Sequence, residues 1–89
     1  MSKRGAKMFK NKNEGRNNLC GNNIRELRLS YGSKLSQRAL ADKMQLIGID
    51  VDKNAIQRIE CGKRFVTDIE LKAFAEIFGV SLDKLVGVD

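Results

Sequence analysis

Histidine is absent from this chain of 89 residues, and cysteine occurs only as Cys20 and Cys61. The first absence removes the commonest general base near neutral pH. Two thiols are too few for a tetrahedral zinc site unless carboxylates or another chain supply the remaining ligands. No metal, cofactor or catalytic set is therefore expected, and an enzyme is the least favoured reading. A structural disulfide between the two cysteines is disfavoured in a cytosolic chain. No run approaches the roughly 18 apolar residues of a membrane span, and the N-terminus lacks the apolar stretch of a signal peptide. The expected location is the cytoplasm, without membrane contact. Strand signals are missing too: there is no sustained alternation of apolar and polar residues, and no Asn-Gly or Asp-Gly hairpin turn.

What is present is an uneven distribution of charge. The composition, 42% hydrophobic and 31% charged, is that of a globular chain. Its length suits one small domain, which buries only about 60–65% of its unfolded surface and leaves little room for an enclosed active site. The formal charge is +6. Residues 1–22 carry Lys3, Arg4, Lys7, Lys10, Lys12 and Arg16 against Glu14 alone, whereas residues 65–89 carry Lys72 and Lys84 against five carboxylates. Residues 34–64 are again net basic. Such lopsidedness points to a polyanionic partner facing the N-terminal and middle parts. Residues 1–22, rich in Lys, Asn and Gly, hold only Met8, Phe9 and Leu19 as sizeable apolar groups, so a basic, disordered arm is expected there.

From residue 23 a helical period takes over. Ile24, Leu27 and Tyr31 fall at i, i+3 and i+7, with Asn23 and Glu26 at the spacing of a capping pair and Gly32 as a stop. Ser36 suits the N-cap of a second helix whose Leu40, Met44 and Ile47 face inward and which Gly48 ends. Asp52 suits the cap of a third, running to about Cys61 and stopped by Gly62. Thr67 and Glu70 form a T-x-x-E box ahead of Leu71, Phe74, Ala75 and Phe78, an amphipathic stripe closed by Gly79. Ser81 suits the cap of a short fifth helix, with Leu82, Leu85 and Val86 completing the core. The expected fold is all-α: five short helices over residues 23–87, preceded by a flexible basic arm. In the third helix, Ile56 and Ile59 make an apolar seam, and Lys53, Asn54, Gln57 and Arg58 occupy the other faces.

A second helix, a turn and a capped third helix follow the order of a helix-turn-helix. "LSQRALADKM" (35–44), "NAIQRIECGKR" (54–64) and "TDIELKAFAEIFGVSLDKLVG" (67–87) together resemble the lambda-repressor-like, Cro/Xre-type DNA-binding family. The resemblance covers about residues 23–87. It implies a sequence-specific double-stranded DNA-binding transcriptional regulator, usually a repressor, with the helix at about 53–60 in the major groove. Lys53, Asn54 and Arg58 match the family's base-reading positions, with Gln57 a further candidate. Asn pairs well with adenine and Arg or Lys with guanine on their major-groove edges. In the family the position of Gln37, next to the Ser36 cap at the start of the second helix, meets the DNA backbone, so both are assigned to positioning. Lys63 and Arg64, after the Gly62 turn and beside the third helix, are well placed to grip phosphates. Arg28 and Glu60 match a pair that in the family forms an internal salt bridge, which assigns both to structure. The resemblance also implies a homodimer on a palindromic operator and a nucleoid-associated location. With the chain ending soon after the fifth helix, no sensing domain is expected.

Two departures stand out. The stretch "QLIGIDVDK" makes the Met44–Ile56 interval about five residues longer than is usual in the family. It is read as an extra turn of the second helix plus a longer link, with Leu46, Ile47, Ile49 and Val51 covering the core. "SK" at 33–34 lengthens the first turn. Cys61 replaces a usual Asn, either as a packing residue or as a thiol made reactive by Lys63 and Arg64. Two other functions stay open: an antitoxin-like or accessory module with a protein partner, and a sequence-independent nucleic-acid binder driven by the arm.

Overall fold

The computed structural model describes residues 14–88, folded into five helices: α1 (Gly21–Leu29), α2 (Gln37–Leu46), α3 (Lys53–Glu60), α4 (Asp68–Phe78) and α5 (Leu82–Val86). The fold is all-α and fits the lambda-repressor-like arrangement expected from the sequence. None of the described helices is long and apolar enough to cross a membrane.

Four of the five helices are started by the side chain of their own N-cap residue. Ser36 accepts from the Ala39 amide at 3.0 Å, Asp52 from Ala55 at 2.8 Å, and Ser81 from Lys84 at 3.0 Å. Thr67 and Glu70 bond each other's amides in a complete capping box, at 3.1 Å in both directions. Each side-chain oxygen satisfies an amide that the first helical turn leaves without a partner.

Helix α1 departs from the expected Asn23–Glu26 cap. It begins earlier, and its N-cap, Cys20, makes no side-chain capping bond. The Asn18 side chain accepts from the Gly21 amide instead, at 2.8 Å. Asn23 donates its Nδ2 to the Leu85 carbonyl at 2.8 Å, tying α1 to α5. Tyr31 lies beyond the helix end, where its ring meets Phe78 edge-on at 5.9 Å.

Helices α2 and α3 pack closely on each other, with α1 against α3 and α4 against α1, α2 and α5. Ile24, Leu40, Met44, Ile56, Ile59, Phe74 and Leu85 are fully buried at the centre. The link between α2 and α3 differs from expectation. Helix α2 ends at Leu46, and Gly48, at φ +87°, reverses the chain in a conformation that side chains disfavour. The reversal returns Val51 to the core and packs Ile49 against it, while Leu46 stays 85% exposed and Ile47 48%. Only two of the four expected cover residues therefore cover the core. The link itself is pinned by the Ile49 amide on the Met44 carbonyl at 2.9 Å and by Gln45 Nε2 on the Val51 carbonyl at 2.9 Å. Leu82, expected in the core, is half exposed at the start of α5.

Candidate nucleic-acid interface

Helix α3 is held by Ile56 and Ile59, both fully buried, and presents Lys53, Asn54, Gln57 and Arg58 to solvent. Isoleucines three apart bring one stripe inward, which Glu60 and in part Ala55 extend, so the other four positions of this eight-residue helix face out. The α2–α3 link leaves these four side chains uncovered. Ala55, between them, is half-buried.

The far end of α3 is fixed by a buried ion pair. Arg28 on α1 donates Nε to Glu60 Oε2 at 2.7 Å and Nη2 to Oε1 at 2.9 Å, with a third bond from Nη1 to the Leu35 carbonyl at 2.9 Å. The carboxylate partner raises the Arg28 pKa above its ordinary value. Gln37, the first residue of α2, donates Nε2 to the same Glu60 Oε1 at 3.1 Å. Gln37 is thus braced to the base of α3, leaving its carbonyl oxygen out of this network. The Ser36 hydroxyl is occupied as the α2 cap.

Lys63 and Arg64 follow the turn at Gly62, and the structure separates them. Lys63 is exposed, while Arg64 bridges to Glu70 through two bonds of 2.9 and 3.0 Å and also reaches the Phe65 carbonyl. The Arg64 guanidinium thus joins the α3–α4 turn to the α4 capping box, whereas the Lys63 side chain stands in solvent. Hydrogen bonding to Arg64 is also what chiefly holds the Glu70 carboxyl below the usual carboxylate range. A lowered folded value means that the pair contributes stability above the unfolded value of about 4.3 and loses it as pH falls through the folded one. Glu70→Gln keeps an acceptor for the capping box and removes the charge. It is expected to cost about 1 kcal/mol at pH 7. The gap between the urea midpoints of the two proteins should close in acid; a gap that persists there would refute the assignment.

Sequence reasoning missed the segment that precedes α1. The arm was expected to extend to residue 22, yet residues 16–18 dock on the α3–α4 turn. The Asn17 amide donates to the Gly62 carbonyl at 2.8 Å, and Asn17 Nδ2 to Lys63 O at 3.1 Å. Asn18 Nδ2 reaches both the Ile59 and Arg64 carbonyls, at 3.0 and 2.8 Å, and Arg16 Nη2 the Glu60 carbonyl at 2.7 Å. These carbonyls, at the helix end and in the turn after it, are among those that need outside donors. Gly21 permits the approach, because a Cβ there would collide with the Ile59 carbonyl. No local signal marks these contacts, whose partners lie 41–46 residues away. Residues 1–13, with the arm's other five basic side chains, lie outside the described residues.

Both cysteines are free. Cys20 is buried, and burial pushes its thiol up to about 11. Cys61 is exposed, which removes the packing role considered for it. At pH 8, alkylation of the folded protein is therefore expected to modify one thiol rapidly, Cys61, with Cys20 following only on unfolding. Peptide mapping would show it, and equal labelling of both would contradict the structure.

Among the described residues no group of three or more His, Cys, Asp or Glu is placed to hold a metal ion. The arrangement is a short helix on a rigid base, carrying polar and cationic side chains outward. A model of the helix-turn-helix family matches residues 24–85, most of the chain. No curated protein and no solved structure matches it. The chain belongs to the lambda-repressor-like helix-turn-helix family of DNA-binding regulators.

Proposed function

We propose that this protein is a sequence-specific regulator of transcription that binds double-stranded DNA as a homodimer at a palindromic operator, with α3 in the major groove. The observation that carries the reading is the outward display of Lys53, Asn54, Gln57 and Arg58 on a helix whose isoleucines are buried. Those side chains match the donors and acceptors of base edges, and the groove is wide enough to admit a helix. Two copies would set their α3 helices about 34 Å apart, one turn of duplex. Occupying a promoter in this way represses it. Lys63, together with Ser36 and Gln37 at the start of α2, would lie along the phosphates and set register. The working location is the cytoplasm, on the nucleoid.

A binding selection on random duplexes at physiological salt tests the reading. A two-fold symmetric consensus is expected; recovery of unrelated sequences would overturn it. Deleting residues 1–13 then separates specific recognition from binding driven by the arm. That truncation spares the docked Arg16–Asn18 segment, and specificity should survive it. If binding vanishes at every sequence, the arm is the main binding element.

A second reading, an antitoxin-like or accessory module, is favoured by one observation: Leu46 and Ile47 stand exposed beside Tyr31 and Ile77. Clustered apolar surface marks contacts with other proteins. Measuring self-association and capturing partners with Leu46→Ser/Ile47→Ser as the control would separate a dimer contact from a foreign one.

A further inference from the structure

We infer that Arg16 and Arg25 form a seat for one DNA phosphodiester beside α3, outside the helix-turn-helix itself. An open cleft of about 460 Å³ lies between α1, the start of α2 and the end of α3, lined by Arg16, Arg25, Gln37, Gln57 and Glu60. Its electrostatics follow from the bonds already described. Glu60, the one carboxylate in the lining among the described residues, is neutralised from behind by Arg28 and also accepts from Gln37. Arg16 spends one nitrogen on the Glu60 carbonyl, a neutral partner, so its charge is retained. Arg25 is exposed on α1, and among the described residues no carboxylate pairs with it or with Arg16. Two guanidinium groups with fork-shaped donors thus face an otherwise polar, charge-compensated wall, the chemistry that best suits phosphate oxygens. Gln57 belongs both to this lining and to the exposed flank of α3, so the cleft opens on the side that would meet the duplex.

The inference rests on the proposed function and deepens it. It gives the pre-α1 segment a role in binding as well as in packing: Arg16 is carried to the cleft by the hydrogen bonds of Asn17 and Asn18. Contacts of this kind add affinity and fix orientation without reading sequence.

The test uses the full-length protein and the duplex recovered by selection, with neutral methylphosphonate linkages introduced one position at a time. In the wild type, one position per half-site is expected to lose roughly tenfold in affinity through this seat. Arg16→Gln/Arg25→Gln should bind more weakly, be indifferent to that same position, and show a salt slope lower by about 0.9 per protomer, with the sequence preference unchanged. Should the double variant unfold by circular dichroism, Arg25→Gln alone carries the test, since Arg25 is exposed and its side chain makes no hydrogen bond or ion pair among the described residues. Wild-type slope and an unaltered linkage profile in the folded variant would overturn the seat and leave the α3 reading standing. Failure of the wild type to select any duplex would overturn both.

Discussion

Glu60→Ala is expected to destabilise the protein by about 3–5 kcal/mol, the cost of leaving a buried charge without its partner. Arg28 and Glu60 are only 8% and 5% exposed, and removal of the carboxylate strands the guanidinium between α1 and α3. Gln37 loses its acceptor in the same step. A domain of this size has a total stability of roughly 4–13 kcal/mol, so the variant sits near the edge of folding. Its melting temperature should fall by roughly 15–30 °C. The informative control is Arg28→Met/Glu60→Leu, which removes both charges and replaces them with apolar bulk. Replacing a buried pair outright is often neutral or stabilising, so this double variant should recover most of the loss. Urea titration of the three proteins decides the matter. A Glu60→Ala protein as stable as the wild type would mean that water reaches the pair and that α3 is held by its isoleucines alone.

Loss of operator preference is the expected result for Lys53→Ala/Asn54→Ala/Arg58→Ala. All three side chains are exposed and none takes part in the core, so stability should stay within about 0.5 kcal/mol of the wild type. Each good side-chain–base pair is worth about 1–3 kcal/mol of discrimination, and the losses at separate base pairs add approximately. The triple variant should therefore bind the operator hardly better than a scrambled duplex, while each single change relaxes preference at one position. Lys63→Ala separates reading from gripping: it should weaken all sequences alike and lower the salt slope by about one unit. Competition between operator and scrambled duplex at two salt concentrations measures both effects. Intact preference in the triple variant would remove α3 as the reading element.

The helices whose starts are legible in the sequence are those capped by the side chain of their own N-cap residue. Ser36, Asp52, Thr67 with Glu70, and Ser81 each act on an amide three residues away, so neither the trigger nor its effect needs the rest of the chain. The seam of α3 is legible for a similar reason: Ile56 and Ile59 three apart can face only one way on a helix, and the polar residues between them must face the other.

Other features depended on distant partners. Asn23 looked like a cap and became a tie to Leu85, 62 residues on. Arg16, Asn17 and Asn18 looked like part of an unstructured arm and became donors for carbonyls at the end of α3. Ile47 and Leu82 carry the same apolar character as their buried neighbours, and only the placement of the link and of α5 leaves them facing water. Arg64 and Lys63 look alike in the sequence, and only the fold brings the Glu70 carboxylate of the α4 capping box to 2.9 Å from one of them. By itself the sequence determined where helices start and which flank of α3 turns outward, since both are properties of single turns. Tertiary structure decided which carbonyls, carboxylates and apolar surfaces remained available, because hydrogen-bond partners and burial are settled only when segments far apart in the chain come together.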